Sequence, residues 1–182
     1  MVMEKSYTNV EPRIIICLIG PPCSGKSTVS KRFLDLEWID VINVGAMLRN
    51  STNTRIQNIL TSGNYVDSNI LISLLNQKIR NEVVILDGFP RDLVQLNDLK
   101  DTFPGTSTYF IELVCPNKTC TQRAFERKRC DDLMIRERLN KHIAETTLFY
   151  KDLKSVEKVD ATESPHNVYE TVKCIIEKLK CI

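Results

Sequence analysis

Eight consecutive residues, Gly20-Pro21-Pro22-Cys23-Ser24-Gly25-Lys26-Ser27, satisfy the pattern G-x-x-x-x-G-K-[ST]. This spacing suits a chain of phosphates. A glycine-rich loop wraps its backbone N–H groups around a β-phosphate, and the helix that follows offers the positive end of its dipole. Lys26 then reaches the β and γ oxygens, and the Ser27 hydroxyl can ligate Mg²⁺. The loop implies binding of a nucleoside triphosphate and leaves open which reaction follows. A second group, Ile85-Leu86-Asp87-Gly88-Phe89-Pro90-Arg91, ends an apolar run. It places Asp87 and Arg91 at the carboxyl edge of a sheet, where the ligand sites of parallel α/β folds lie.

These groups need strands and helices to hold them. Short apolar runs rich in β-branched residues alternate with longer helical patterns, the signal for a parallel sheet covered on both faces. Strands are expected at Ile14–Ile19, Ile39–Ile42, Val83–Leu86 and Tyr109–Val114, with a weaker one at Ser155–Val159. The first, third and fourth lack polar alternation and should be central. Helices are expected over Ser27–Leu36 and Ile56–Leu60, along Leu71, Leu74, Leu75 and Ile79, and over Arg136–Tyr150. The last helix has the clearest start, Ser164 as N-cap and Pro165 at the first position. Its stripe of Val168, Val172, Ile175, Ile176 and Leu179 reads as core packing. Residues 1–11 read as a loose arm.

Composition excludes several classes. The chain has 182 residues, 42% hydrophobic and 26% charged, which describes one globular domain with at most a small insertion. Its 25 basic residues against 23 acidic ones give no general attraction to nucleic acid or membrane. The longest apolar run, Ile14–Ile19, is far below the roughly 20 residues of a spanning helix, and the polar start has no signal-peptide core. A cytoplasmic protein is expected. Seven cysteines without a C-x-x-C pair suggest mostly reduced, half-buried thiols rather than a disulfide framework or zinc site. No broad apolar stripe is left over, so a monomer is expected.

The segment Asp87-Gly88-Phe89-Pro90-Arg91 resembles the DGFPR signature of the nucleoside monophosphate kinases, the adenylate kinase-like family, in its short-lid form. The loop GPPCSGKST is similar to the family's GxPGSGKGT. Val44-Gly45-Ala46-Met47-Leu48-Arg49 looks like its TGDLLR, and Gly63-Asn64-Tyr65-Val66 stands where it has G-x-L-V. Thr121-Gln122-Arg123, Arg127 and Arg129-Cys130-Asp131-Asp132 resemble its lid. The similarity runs from about Ile14 to Leu179.

The resemblance implies a P-loop NTPase-type three-layer α/β/α fold with a five-stranded parallel sheet, a small helical NMP-binding insertion and a very short lid. Residues 1–182 would form a single domain, with the P-loop at 20–27, the acceptor region at about 43–72 and the lid at about 123–132. The implied reaction moves the γ-phosphate of Mg-ATP to a nucleoside monophosphate. Two polyanions must meet, so such an enzyme works by positioning and charge neutralisation, for which forked, permanently charged guanidiniums are suited.

On this resemblance Gly20, Cys23, Ser24, Gly25, Lys26, Ser27, Thr28 and Arg123 serve ATP, Arg123 lying over the donor base. Val44, Gly45, Arg49, Val66, Gly88, Arg91 and Gln95 serve the acceptor, with Arg49 and Arg91 on its phosphate. Arg127, Arg129 and Arg138 would grip the transferring phosphates beside Lys26 and Arg91. Either Arg136 or Arg138 fits that last role, because the spacing after Asp132 is short. Ser27 and Asp87 would hold Mg²⁺, partly through water, and Asp131 and Asp132 would tie the lid down. Only Lys128 separates Arg127 from Arg129, so few side chains remain to exclude water.

The acceptor base is read two ways. Gln95 matches the glutamine that reads adenine in AMP-accepting members, since an amide both gives and takes hydrogen bonds; it also reads as an exposed amide on a helix surface. Val44 stands for the threonine of the AMP pocket, which UMP/CMP kinases also lack, and Ala46 replaces the family's Asp. AMP is the favoured acceptor, with UMP/CMP the alternative. Cys23 stands where the family has Gly; if that position needs positive φ, its Cβ costs about 1 kcal/mol or more. That keeps open a catalytically weak nucleotide-binding module. Lys26 and the helix start beside Cys23 favour its thiolate, which predicts alkylation that ATP blocks.

Overall fold

The computed structural model describes residues 10–62, 66–127, 134–151, 153 and 155–181. Five strands, β1 (Ile14–Ile19), β2 (Ile39–Asn43), β3 (Val83–Asp87), β4 (Ser107–Val114) and β5 (Val156–Asp160), form one sheet in the order β2-β3-β1-β4-β5. Every pairing is parallel. β1, β3 and β4 are the interior strands, as their unbroken apolar runs require.

β1 shows why the sheet is covered twice. Ile14, Ile16 and Leu18 point into one core with Val29, Phe33, Val172 and Ile176, while Ile15, Cys17 and Ile19 point into a second core with Leu48, Leu75 and Leu99. Every β1 side chain is buried because successive residues face opposite layers that are both packed.

The helices are α1 (Lys26–Ser30), α2 (Val44–Arg49), α3 (Thr54–Thr61), α4 (Ser68–Asn76), α5 (Leu93–Thr102), α6 (Asn117–Arg127), α7 (Ile135–Lys141), α8 (Thr147–Lys151) and α9 (Pro165–Lys180). Three differ from the sequence expectation, α4 ending at Asn76 so that Ile79, expected in it, is buried beyond its end. The helix expected over Ser27–Leu36 is α-helical only to Ser30 and tightens into a 3₁₀ turn at Lys31–Phe33, with Phe33 fully buried. The helix expected through Tyr150 is broken by a π turn at His142–Thr146 between α7 and α8. α9 starts as read: Ser164 Oγ accepts from Asn167 N at 3.2 Å, Pro165 is at the first turn, and Val168, Val172 and Ile176 are buried. The expected arm lies mostly outside the described residues. The described cysteines are all free thiols, Cys17, Cys115 and Cys120 buried, but Cys174 and Cys181 are exposed rather than half-buried.

Helices α2, α3 and α4 each start on a side-chain cap. Asn43 Oδ1 accepts from Ala46 N at 2.7 Å, Asn53 Oδ1 from Arg55 N at 2.9 Å, and Asp67 Oδ1 from Asn69 N at 2.9 Å. Such caps let three short helices follow one another, α2 turning directly out of β2 at Asn43.

Candidate active site

At the carboxyl edge of β1, where neighbouring strands lead to opposite sides of the sheet, the chain turns into the P-loop. Gly20 has φ 135°, and a Cβ there would stand 2.6 Å from the Leu113 carbonyl oxygen of β4, so no side chain fits. Gly20 N donates to the Tyr150 hydroxyl at 3.1 Å. Lys26 Nζ, half-buried, donates to the Gly20 and Pro21 carbonyls, each at 2.7 Å. Burial lowers Lys26 to about 8; Asp87 opposes that shift and Arg91 adds to it. Arg123 braces the loop from α6, donating to Ser24 O at 3.1 Å and to Ala161 O at 2.8 Å. Cys23 has φ 64°, so the left-handed conformation that a glycine would adopt freely is imposed on a residue with a Cβ.

Asp87 ends β3 in register with Asn43 of β2 and is almost fully buried. Its Oδ2 accepts from Ser30 Oγ at 3.1 Å and from Asn43 Nδ2. The same Asn43 nitrogen donates to Ser27 Oγ at 2.7 Å. Ser27 and Asp87 are thus brought together by a third residue, and their hard oxygen donors fit Mg²⁺.

Beyond β3 Arg91 Nε donates to Gly88 O at 3.2 Å, and Gly88 N donates to Leu18 O at 3.1 Å, which ties the Asp87–Arg91 turn to β1. The Phe89–Pro90 peptide is cis. The Arg49 guanidinium lies against Gly45: a Cβ on Gly45 would meet its nitrogen at 3.2 Å. Gln95 is not an exposed amide. It is 4% exposed on the cleft wall, and its Oε1 accepts from Arg91 N at 2.9 Å. Asp92, the N-cap of α5, directs it by accepting from Gln95 N at 2.8 Å.

These elements enclose a cleft of about 1440 Å³, larger than a single drug-sized pocket of roughly 300–1,000 Å³. Its walls bring together Gly20, Cys23, Ser24, Gly25, Lys26, Ser27, Thr28 and Arg123 with Val44, Gly45, Arg49, Val66, Asp87, Gly88, Arg91 and Gln95. Arg127 and Arg138 line it too, whereas Arg136 is exposed away from it. Arg129, Asp131 and Asp132 lie outside the described residues, as do Gly63, Asn64 and Tyr65.

Among the lining residues that sequence reasoning missed are Asn43, Lys141, His142 and Tyr150. Asn43 was visible as an N-cap type three residues before Ala46, at the end of a strand. His142 follows Arg138 by one helical turn and so shares its face. Burial, Lys26 and Arg91 together lower His142 to about 4, so its ring is neutral at pH 7. Tyr150 had no such signal. Eight α-helical steps would turn it about 80° away from His142, but the intervening π turn rephases the helix and the two rings meet edge to face at 5.7 Å.

Comparison with known proteins agrees with this geometry. The adenylate kinase family model matches residues 18–159. An adenylate kinase of Cyanothece sp. is 29% identical over 187 residues, covering 91% of this chain and 96% of that protein. The human UMP-CMP kinase is 26% identical over 194 residues, covering 91% and 97%. An adenylate kinase of Orientia tsutsugamushi is 27% identical over 208 residues, covering 89% and 96%.

Proposed function

The chain belongs to the adenylate kinase family and is an ATP-dependent nucleoside monophosphate kinase, and we propose that its favoured acceptor is AMP, giving two ADP. The carrying observation is the buried Gln95. With Oε1 held by the Arg91 amide, its nitrogen offers a donor to the cleft, and the second lone pair of Oε1 offers an acceptor. Adenine presents the complementary ring nitrogen and exocyclic amine. Uracil, whose N3–H lies between two carbonyl oxygens, also pairs with the amide as it stands, but it has one ring fewer than adenine. Cytosine shares adenine's pattern but has one ring fewer to set against Val44 and Val66, both buried on the cleft wall.

A second reading, UMP/CMP kinase, draws on Val44, which leaves no hydroxyl at the start of α2, and on the similarity to UMP-CMP kinases. A third, a weakly catalytic nucleotide-binding module, draws on the φ of 64° at Cys23.

In the proposed reaction Lys26, Arg127 and Arg138 hold the donor phosphates while Arg49 and Arg91 hold the acceptor phosphate in line. Arg129 joins them on the resemblance. Arg138 takes this role rather than Arg136 because it faces the cleft. Ser27 directly, and Asp87 through water, would hold Mg²⁺, which supplies neutralisation of charge on the phosphate oxygens. The acceptor region at about 43–72 and lid at about 123–132 are read as parts of one domain. The protein is further read as a cytoplasmic monomer. No described helix is long and apolar enough to cross a membrane, and exposed large apolar side chains such as Leu34, Val114, Phe125 and Ile143 are scattered over separate elements. Sedimentation at twice the chain mass would refute the monomer.

The test is diphosphate formation from Mg-ATP with AMP, CMP, UMP and dTMP in parallel, resolved by ion exchange. AMP turnover highest, and lost in Arg91→Ala, supports the proposal. Preference for UMP refutes it and moves the base reading to Val44. No turnover in protein that binds ATP selects the weak module.

A further inference from the structure

We propose that Asn43 is a positioning residue that sets Ser27 and Asp87 for the divalent cation and ties that geometry to the acceptor helix α2. This rests on the reading of the cleft as a site for ATP and a metal ion. Three hydrogen bonds meet on one side chain. Asn43 Nδ2 donates to Ser27 Oγ at 2.7 Å and to Asp87 Oδ2, and Oδ1 accepts from Ala46 N at 2.7 Å. The sheet enforces this, because Asn43 and Asp87 are register partners on β2 and β3.

The consequence for the metal oxygens is specific. A hydroxyl has two lone pairs and one proton. By donating into Ser27 Oγ, Asn43 occupies one lone pair and leaves the other for a cation. Asp87 Oδ2 is taken by Ser30 and Asn43 together, so Oδ1 remains as the oxygen for the metal's water shell. Partners of metal-holding groups typically matter 10- to 100-fold in metal affinity.

The other end of Asn43 caps α2, whose Gly45 and Arg49 form the acceptor wall. A shift of α2 on acceptor binding is therefore transmitted through one rigid amide plane to both metal-holding oxygens. Ala46 offers no carboxylate at the first turn of α2, and Asn43 joins the helix start to Asp87 through its two amide ends.

Asn43→Ser separates the two duties. Serine caps a helix about as well as asparagine but is too short to reach Ser27 and Asp87 together. The measurement is Mn²⁺ affinity of the ATP-bound protein by electron paramagnetic resonance with no acceptor present, beside ATP affinity in EDTA and the melting temperature. We expect Mn²⁺ affinity to fall roughly tenfold or more, metal-free ATP affinity to stay within twofold, and the midpoint to stay within about 3 °C.

Mn²⁺ affinity within twofold of the parent overturns the proposal. So does an equal loss of metal-free ATP affinity, which would mean a distorted loop. Asn43→Thr, also a capping residue, gives the same reading if the serine variant folds poorly. A parent protein that takes up no Mn²⁺ with ATP overturns it outright. Because no acceptor is present, failure of the AMP assignment leaves this result unaffected and is seen only in the turnover assay.

Discussion

The two halves of the cleft, which we read as the donor and acceptor sites, are built by different means. The donor half is a backbone held by cross-links from distant elements. Tyr150 takes the Gly20 amide, Arg123 joins Ser24 to Ala161, and β4 presses on Gly20 so closely that only glycine fits. The acceptor half is three short helices hung on single capping side chains, with Arg49 and Arg91 exposed at its rim. On that reading one half is preorganised for a phosphate chain common to all nucleoside triphosphates. The other leaves its discriminating contacts to individual side chains, where one substitution changes the acceptor.

If that contrast is right, charge removal on the donor side carries the largest effect. Lys26→Ala should lower turnover by about a hundredfold or more, with Arg127→Ala in the same direction, and neither should move the melting temperature by more than a few degrees. A large loss of melting temperature with unchanged turnover would break the comparison.

On the acceptor side, Gln95→Leu should raise the KM for AMP about tenfold, close to the roughly 1–3 kcal/mol of an orphaned buried amide, and leave ATP affinity unchanged in equilibrium dialysis. A matching loss of ATP affinity would show that the halves are not separable.

A smaller effect is expected at Cys23. Relief of its left-handed strain by Cys23→Gly should raise stability by up to about 1 kcal/mol in urea unfolding. In the parent, iodoacetamide should label Cys23 in preference to Cys17, whose buried thiol is pushed far up, and Cys120, pushed up to about 12 chiefly by burial. ATP should slow that labelling; equal rates with and without nucleotide would contradict the placement of Cys23 on the donor wall.

The smallest effect is a pH signature. Lys26 falls from 10.5 to about 8 on folding, so the folded chain binds fewer protons between those values. Its burial therefore costs stability below pH 8, and the cost fades as pH rises towards 10.5. Phosphate oxygens reverse the shift. Calorimetry in buffers of different ionisation enthalpy should show proton uptake on ATP binding near pH 9 and almost none at pH 7.

Much of this was legible in the sequence because the signals are local. Five apolar runs gave five strands within one or two residues, and their polarity alone separated central from edge strands. The phosphate loop and the Asp87–Arg91 turn are contiguous, so their place on the sheet edge follows from the strands that precede them. What escaped depends on tertiary register or helix phase. Asn43 meets Asp87 only because β2 pairs with β3, Tyr150 meets His142 only through a π turn, and Arg138 is separated from Arg136 only by which face α7 buries. The sequence favours Gln95 as the base-reading amide, with a surface amide as the alternative, and it is Asp92 and Arg91 that hold it inward.

The central claim is that one cleft takes a donor and an acceptor together, each on its own half. A single molecule tests it: two adenosines joined by five phosphates, read by the shift in melting temperature. We predict a shift well above that of ATP alone, reduced to the ATP value in Arg91→Ala and abolished in Lys26→Ala. A shift no larger than that of ATP, or one indifferent to Arg91, would contradict the two-sided cleft.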